Sequence, residues 1–262
     1  MFTQEEQIVL AHILGKSREF IIARPEIKLS AEQRRRFAEA QRKLSQGIPL
    51  AYILGYKWFY GRKFAVNKNV LIPRPETELL VELAAGAAKK LKPQIIADIG
   101  TGSGAIIISL KKKLTGVKIK FLATDISGKA LATAKANAKK LAVKNIAFKK
   151  GNLANPVLKH LAGKKIIVAA NLPYLSSQQM KEPSIKFEPK IALYGGKKST
   201  QKIAALLAQL SRAQFASAEI FLEADPSQMR EIKKAAEKYF RSPSVKIHRD
   251  LAGRNRVVQI SI

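Results

Sequence analysis

Apolar residues recur along this chain with different periods in different segments. Between residues 3 and 46, Ile8, Val9, Ala11 and Leu14 follow the spacing of an amphipathic helix. Ser30 followed three positions later by Gln33 has the form of a capping box, so this segment predicts a small helical unit. From Pro49 to Pro75, aromatic and β-branched residues interrupted by Gly55, Gly61 and Asn67-Lys68-Asn69 predict a hairpin, or two short strands, acting as a linker. Thr77 to Lys90 returns to the helical period. After Pro93, short apolar runs at 95–99, 119–123, 146–148, 166–170 and 219–223 alternate with alanine- and lysine-rich helical stretches such as 127–142 and 200–216. Strands alternating with helices predict a parallel sheet covered on both faces. The last stretch breaks that rule, because 245–250 and 257–262 are separated only by a turn at Ala252-Gly253. A connection that short leaves no room for a crossover, so these two strands are antiparallel. The expected organisation is a helical domain at 1–48, a hairpin linker at 49–75 and a Rossmann-like α/β domain at 76–262, with a seven-stranded, mostly parallel sheet ending in an antiparallel hairpin.

Composition narrows the chemistry. Of 262 residues, 47% are hydrophobic and 26% charged, enough apolar side chain for a sizeable core. There is no cysteine, which excludes disulfides, thiolate metal sites, iron–sulfur clusters and cysteine nucleophiles. His12, His160 and His248 are too scattered to suggest a zinc site, and no metal is expected. No apolar run approaches the roughly 18 residues of a spanning helix. Glu5 and Glu6 stand where a secretory leader would be basic, so a cytoplasmic protein without membrane contact is expected. The formal charge is +29, divided as +6 over residues 1–80 and +23 over 81–262. Such a field draws RNA, ribosomes or an acidic protein in a salt-dependent way. The lysine runs at 111–113, 139–140 and 164–165 lack the interleaved aromatics of a base-stacking platform, and a lysine-rich proteome accounts equally for the excess.

The first strand of the α/β domain ends in Asp98-Ile99-Gly100-Thr101-Gly102-Ser103-Gly104 and runs into an apolar helix at Ala105. Glycines there let the backbone turn sharply and approach a ligand, with helix N–H groups aimed at an anion. The G-x-G-x-G spacing differs from the dinucleotide fingerprint, and the Lys-Ser/Thr of a P-loop is missing. Asp125 closes the next strand, where a carboxylate can accept from both hydroxyls of a ribose. Together Asp98, Gly100, Gly102, Gly104 and Asp125 resemble the cofactor signature of class I methyltransferases that use S-adenosylmethionine.

The run 166–170 delivers Asn171-Leu172-Pro173-Tyr174 to the carboxyl edge of the sheet, where ligands of open α/β sheets bind. This constellation suits methylation of a planar nitrogen, whose lone pair is delocalised. If the Asn171 side-chain oxygen and the Leu172 carbonyl each accept one N–H, the lone pair turns toward the methyl donor, while Tyr174 packs on the flat face. Orientation of this kind is worth on the order of 7–11 kcal/mol in favourable cases.

At this point the chain resembles the release-factor glutamine methyltransferases, the PrmC/HemK family. Leu71-Ile72-Pro73-Arg74-Pro75-Glu76-Thr77-Glu78 carries the most specific part of the likeness. Pro49 to Gly55, Trp58-Phe59, Phe187-Glu188-Pro189, Ala192-Leu193, Leu222-Glu223, Gln228, Asp250, Gly253, Arg254 and Arg256 follow in order. The resemblance implies that Gly100, Thr101, Gly102, Ser103 and Gly104 hold the methionine part of S-adenosyl-L-methionine, with Asp98 at the start of that signature. It implies that Asp125 holds the ribose and that Asn152 and Leu153 flank the adenine. Asn171, Leu172, Pro173 and Tyr174 would bind the substrate amide, with Asn171, Pro173 and Tyr174 catalytic, Asn171 also touching the cofactor, and Arg74 and Glu76 on the substrate side. The implied substrate is the glutamine of the Gly-Gly-Gln loop of class I peptide-chain release factors, gripped by the helical domain. The chain departs from the family pattern at Leu172, where proline is usual, at Asn152, where an acid is usual, at Lys164-Lys165 and at Glu223-Ala224-Asp225. The helical unit is also shorter by about one helix. The Asn-Leu-Pro-Tyr form also resembles rRNA adenine dimethylases, so an adenine-N6 methyltransferase acting on rRNA or DNA stays open, as does an inactive RNA- or ribosome-binding protein of the same fold.

Overall fold

The computed structural model describes residues 2–24 and 26–262. The helical unit contains α1 (Gln4–Leu14), α2 (Arg18–Ile22) and α3 (Ala31–Ser45), joined by the short α4 (Leu50–Leu54). The capping box forms as the pattern predicts: the Ser30 hydroxyl accepts from the Gln33 amide, and the Gln33 side chain accepts from the Ser30 amide. A second box, Thr3 with Glu6, starts α1. Val9, Leu10, Ile21 and Phe37 bury themselves at the centre of this unit.

The linker is a mixed element. Its first residues, Leu50–Leu54, are helical where a strand or hairpin was expected, because Pro49 sets an extended entry and Gly55, at φ +75°, stops the helix one turn later. The antiparallel hairpin of β1 (Tyr56–Phe59) and β2 (Arg62–Ala65) follows. It is fastened to the α/β domain by Asn137, a fully buried side chain. Its Oδ1 accepts from the Ala65 amide at 2.7 Å, and its Nδ2 donates to the carbonyls of Ala65 at 3.0 Å and Ser103 at 2.8 Å. Tyr52 donates to the Val70 carbonyl, and Val66, Val70 and Ala130 form a small core with Ala51 and Tyr52. One side chain thus ties the linker strand to the glycine loop.

The α/β domain opens with α5 (Thr77–Leu91). Then come β3 (Ile95–Ile99), α6 (Ala105–Lys113), β4 (Lys120–Asp125), α7 (Gly128–Lys140), β5 (Ile146–Lys150), the short α8 (Leu158–Leu161) and β6 (Lys165–Ala170). After β6 come the short α9 (Lys190–Leu193), α10 (Gln201–Leu210), β7 (Ser217–Glu223), α11 (Met229–Tyr239), β8 (Ser244–Arg249) and β9 (Asn255–Ser261). The spatial order is β5-β4-β3-β6-β7-β9-β8, parallel except that β9 is antiparallel to both of its neighbours. The expected seven-stranded sheet with a C-terminal hairpin is therefore present. Two-residue alternation sorts the side chains. Ile95, Ala97 and Ile99 pack with Leu206, Leu210 and Ile232 on one face, whereas Ile96 packs with Leu80, Val81 and Ile107 on the other. The helix expected over 200–216 ends at Leu210, with Ser211 as its C-cap.

Strand order reverses between β3 and β6, which opens a crevice at their carboxyl ends. Truncating Asn137 to alanine strips three hydrogen bonds from backbone groups around that crevice. Asn137→Ala is expected to lower unfolding free energy by about 2–4 kcal/mol in urea titrations, with an unchanged slope. A loss below about 0.5 kcal/mol would mean that the linker is held by other contacts.

Candidate active site

The loop after β3 is shaped by its glycines. Gly100 has φ +77°, and a Cβ placed there would lie 2.9 Å from a methyl of Leu172. Gly104 has φ +82°, and its Cβ would press on Ile108 at 2.9 Å and Ala134 at 3.2 Å. Both positions need glycine for conformation and for close approach. At Gly102, φ +54°, nothing lies within 4 Å of the Cβ direction, so that stretch of backbone is bare. The amides of Gly100 and Thr101 both donate to the Thr124 carbonyl, each at 2.9 Å, which pins the loop to the end of β4.

Asp125 receives the Gly102 amide on Oδ2 at 2.9 Å and the Ser127 amide on Oδ1 at 2.8 Å. Burial pushes its pKa up, opposed by these amides. The cleft of about 180 Å³ beside the loop is lined by Gly100, Thr101, Gly102, Ser103 and Asp125. Asn152, Leu153, Asn171, Leu172, Pro173 and Arg74 line it as well. Ala105 and Ile106, the first residues of α6, also reach it. The bare Gly102 backbone, the helix N-terminus and the carboxylate with lone pairs to spare fit a ligand that joins an amino-acid end to a ribose.

Asp98, Gly104 and Glu76 do not line this cleft. Asp98 is fully buried beneath the loop. Its Oδ2 accepts from the Thr101 hydroxyl at 2.6 Å and the Ile107 amide at 3.3 Å, and Oδ1 has no partner among the described residues. Gly104 packs against Ile108 of α6 and Ala134 of α7. Glu76 sits half-buried at the entry to α5.

A second cavity, of about 210 Å³, is lined by Tyr174, Leu175, Ile185 and Leu193, and shares Leu71, Arg74, Asn171, Leu172 and Ala192 with the first. The residues of the Asn171–Tyr174 segment are therefore distributed between two chambers. Asn171 and Leu172 stand in the common wall, Pro173 faces the first chamber and Tyr174 the second. The segment is fixed along its length. The Asn171 Nδ2 donates to the Thr77 hydroxyl at 3.1 Å, the Tyr174 carbonyl accepts from Gln228 at 2.7 Å, and the Leu175 amide donates to the Leu193 carbonyl at 2.9 Å. Leu172 buries its side chain against Gly100 and the sheet core. Burial, then the neighbouring Glu223, pushes the Tyr174 phenol up to about 12, so it is neutral and suited to packing on a flat group.

Over both chambers runs the stretch before α5, held by the buried Glu188. Its carboxylate accepts from the Ile72 amide at 3.0 Å and pairs with the Arg74 guanidinium. Thr77, Glu188, Gln228 and Glu223 were not among the residues read as site residues from sequence. Their only signal was membership of the matched segments, because Thr77 meets Asn171 across 94 positions.

Residues 3–55 match the PrmC N-terminal domain, and residues 92–239 match a methyltransferase domain. A release factor glutamine methyltransferase of Bacillus cereus is 34% identical over 96% of this chain and 90% of its own length. One of Nitratidesulfovibrio vulgaris is 34% identical over 96% of this chain and 85% of its own. Among solved structures, the catalytic domain of human Mettl16 bound to an RNA hairpin superposes with a TM-score of 0.59 at 13% identity, covering 96% of this chain and 91% of that one. At that identity the likeness concerns the fold.

Burial raises the Asp98 carboxyl from 3.8 to about 7. The cost of ionising it in the folded state therefore grows as pH rises from about 4 to about 7 and is complete above. Relative to wild type, Asp98→Asn is expected to gain stability, by about 2–3 kcal/mol between pH 5 and pH 8, in urea unfolding followed at both pH values. Parallel curves for the two proteins would contradict the assigned burial cost.

Proposed function

The chain belongs to the release factor glutamine methyltransferase family, and on that premise we propose its substrate and chemistry. It transfers the methyl group of S-adenosyl-L-methionine to the side-chain amide nitrogen (N5) of the glutamine in the Gly-Gly-Gln motif of class I peptide-chain release factors, in the cytoplasm. The observation that carries this reading is the wall common to the two chambers, in which Asn171 and Leu172 stand between a cleft suited to the donor and a cavity suited to a side chain.

S-adenosylmethionine, when bound, supplies a methyl carbon attached to a positively charged sulfur. Gly100 to Ser103 and the start of α6 would hold its amino-acid end, Asp125 its ribose, and Asn152 and Leu153 its base. Asn171 Oδ1 accepts one N–H of the glutamine amide and the Leu172 carbonyl accepts the other. This orients a poorly nucleophilic nitrogen and favours the geometry in which its conjugation is lost. Tyr174, neutral and half-buried, covers the plane of the amide and keeps water away. Arg74, steadied by Glu188, borders both chambers and adds positive charge at the entrance. The helical unit would seat the rest of the release factor, and the +29 charge favours an acidic partner surface or RNA nearby.

Incubation with radiolabelled S-adenosylmethionine, a class I release factor and rRNA tests the reading. Label is expected on the release factor, and it should vanish when the Gly-Gly-Gln glutamine is replaced. Label on rRNA instead would overturn this reading in favour of an RNA methyltransferase, and label on neither would contradict activity of this kind. Two variants dissect the site. Asp125→Ala is expected to weaken cofactor binding by about 1.5–3 kcal/mol in titration calorimetry. Asn171→Ala should lower turnover about 100-fold or more while cofactor affinity stays within several-fold.

A further inference from the structure

Tyr174 lines the second chamber and not the first, and where its ring lies depends on the backbone that carries it. The peptide unit that follows Tyr174 is held at both ends. The Leu175 amide donates to the Leu193 carbonyl at 2.9 Å, and the Tyr174 carbonyl accepts from Gln228 Nε2 at 2.7 Å. Gln228 lies 54 positions away, at the end of the short turn Pro226–Gln228 that leads into α11, and is buried. Its Nε2 also donates to the Ser199 hydroxyl at 2.8 Å, and its Oε1 accepts from the Asp225 amide at 3.2 Å. A backbone amide only donates and a backbone carbonyl only accepts, so these partners permit one orientation of the Gln228 carboxamide.

We propose that Gln228 is a positioning residue that sets the Tyr174 ring in the second chamber by fixing the direction of the Tyr174 carbonyl. The consequence for glutamine methylation rests on the function proposed above, in which that ring covers the acceptor amide, whereas the placement of the ring does not.

The neighbouring backbone has no second donor to offer. The stretch 195–199 packs so closely that a Cβ on Gly195 would lie 2.8 Å from the Pro173 carbonyl oxygen and 2.0 Å from that of Ser199. The Gly195 amide is already spent on the Leu175 carbonyl, at 3.0 Å. The bond from Gln228 is the one the Tyr174 carbonyl accepts among the described residues. Gln228 therefore joins three pieces of chain: the end of the Asn171–Tyr174 segment, Ser199 and the turn before α11. A carbonyl deprived of its donor in such a place gains by turning toward another donor or water. With the Leu175 amide still held by Leu193, that turn is taken up at Tyr174 and displaces its ring.

Two variants remove the donor. Gln228→Glu keeps the shape and the acceptor for Asp225 but, when ionised, has no proton for Tyr174. Gln228→Met keeps the length without a buried charge, and carries the test if that charge unfolds the first variant. In 13C-tyrosine-labelled protein without substrate, the ring signals of Tyr174, assigned by their loss in Tyr174→Phe, are expected to shift in both variants. Those of Tyr56 and Tyr60, on the hairpin, should keep their positions. In methylation assays with a Gly-Gly-Gln peptide, kcat should fall about 10- to 100-fold while the cofactor KM stays within two-fold, because Tyr174 does not line the donor cleft. Ser199→Ala keeps the bond to Tyr174 and should leave the ring signals and kcat close to wild type. Tyr174 signals unchanged in Gln228→Met, signals that move equally for all three tyrosines, a cofactor KM that rises as much as kcat falls, or a Ser199→Ala effect as large as that of Gln228→Met would each overturn the proposal. Failure of wild type to methylate the glutamine would strike the proposed function and leave the ring signals to decide the placement.

Discussion

An amide nitrogen shares its lone pair with the neighbouring carbonyl and has little to offer an electrophile. The proposed function meets that constraint with oriented acceptors at the point where the sheet reverses its strand order. β3 supplies a bare backbone loop, β4 supplies Asp125, and β6 supplies Asn171 and Leu172, all at one edge. The central strands are hydrophobic on both faces, so helices cover them and the carboxyl ends are left as the open edge. The placement of these residues at one edge is thus a consequence of the topology, refined by a few buried polar contacts.

Three buried polar side chains make such contacts. Asn137 joins the linker to the glycine loop, Glu188 joins the stretch before α5 to the segment following β6, and Gln228 holds the backbone of Tyr174. Each joins segments far apart along the chain, and each leaves an unsatisfied donor or acceptor behind if truncated. The C-terminal hairpin joins the same scheme: Asp250 accepts from the amides of Ala252 and Arg254 at its turn and pairs with Arg256, which faces Glu223.

Local patterns in the sequence made much of this legible. Alternating apolar runs located the strands, and the short spacing around Gly253 required the antiparallel finish. Gly100, Gly102, Asp125 and Asn171 stood out because glycine loops and strand-end polar residues carry short-range signals. Thr77 did not, since its contact with Asn171 arises only when the end of β6 and the start of α5 come together. Asp98 read as a ligand group on the same motif, whereas its carboxylate turns inward to brace Thr101 and α6. Leu50–Leu54 misled in the other direction, its aromatic and β-branched surroundings suggesting strand where Pro49 and Gly55 frame one helical turn.

The account stands or falls on how the acceptor amide is held. A crystal structure of the protein with S-adenosylhomocysteine and a Gly-Gly-Gln peptide measures this directly. The expected complex has the glutamine side chain in the chamber beside Tyr174. Its amide hydrogens should be bonded to Asn171 Oδ1 and the Leu172 carbonyl, with its nitrogen aimed at the sulfur in the neighbouring cleft. A glutamine bound with its oxygen toward the sulfur, or an Asn171 oxygen turned to Thr77 instead, would contradict it.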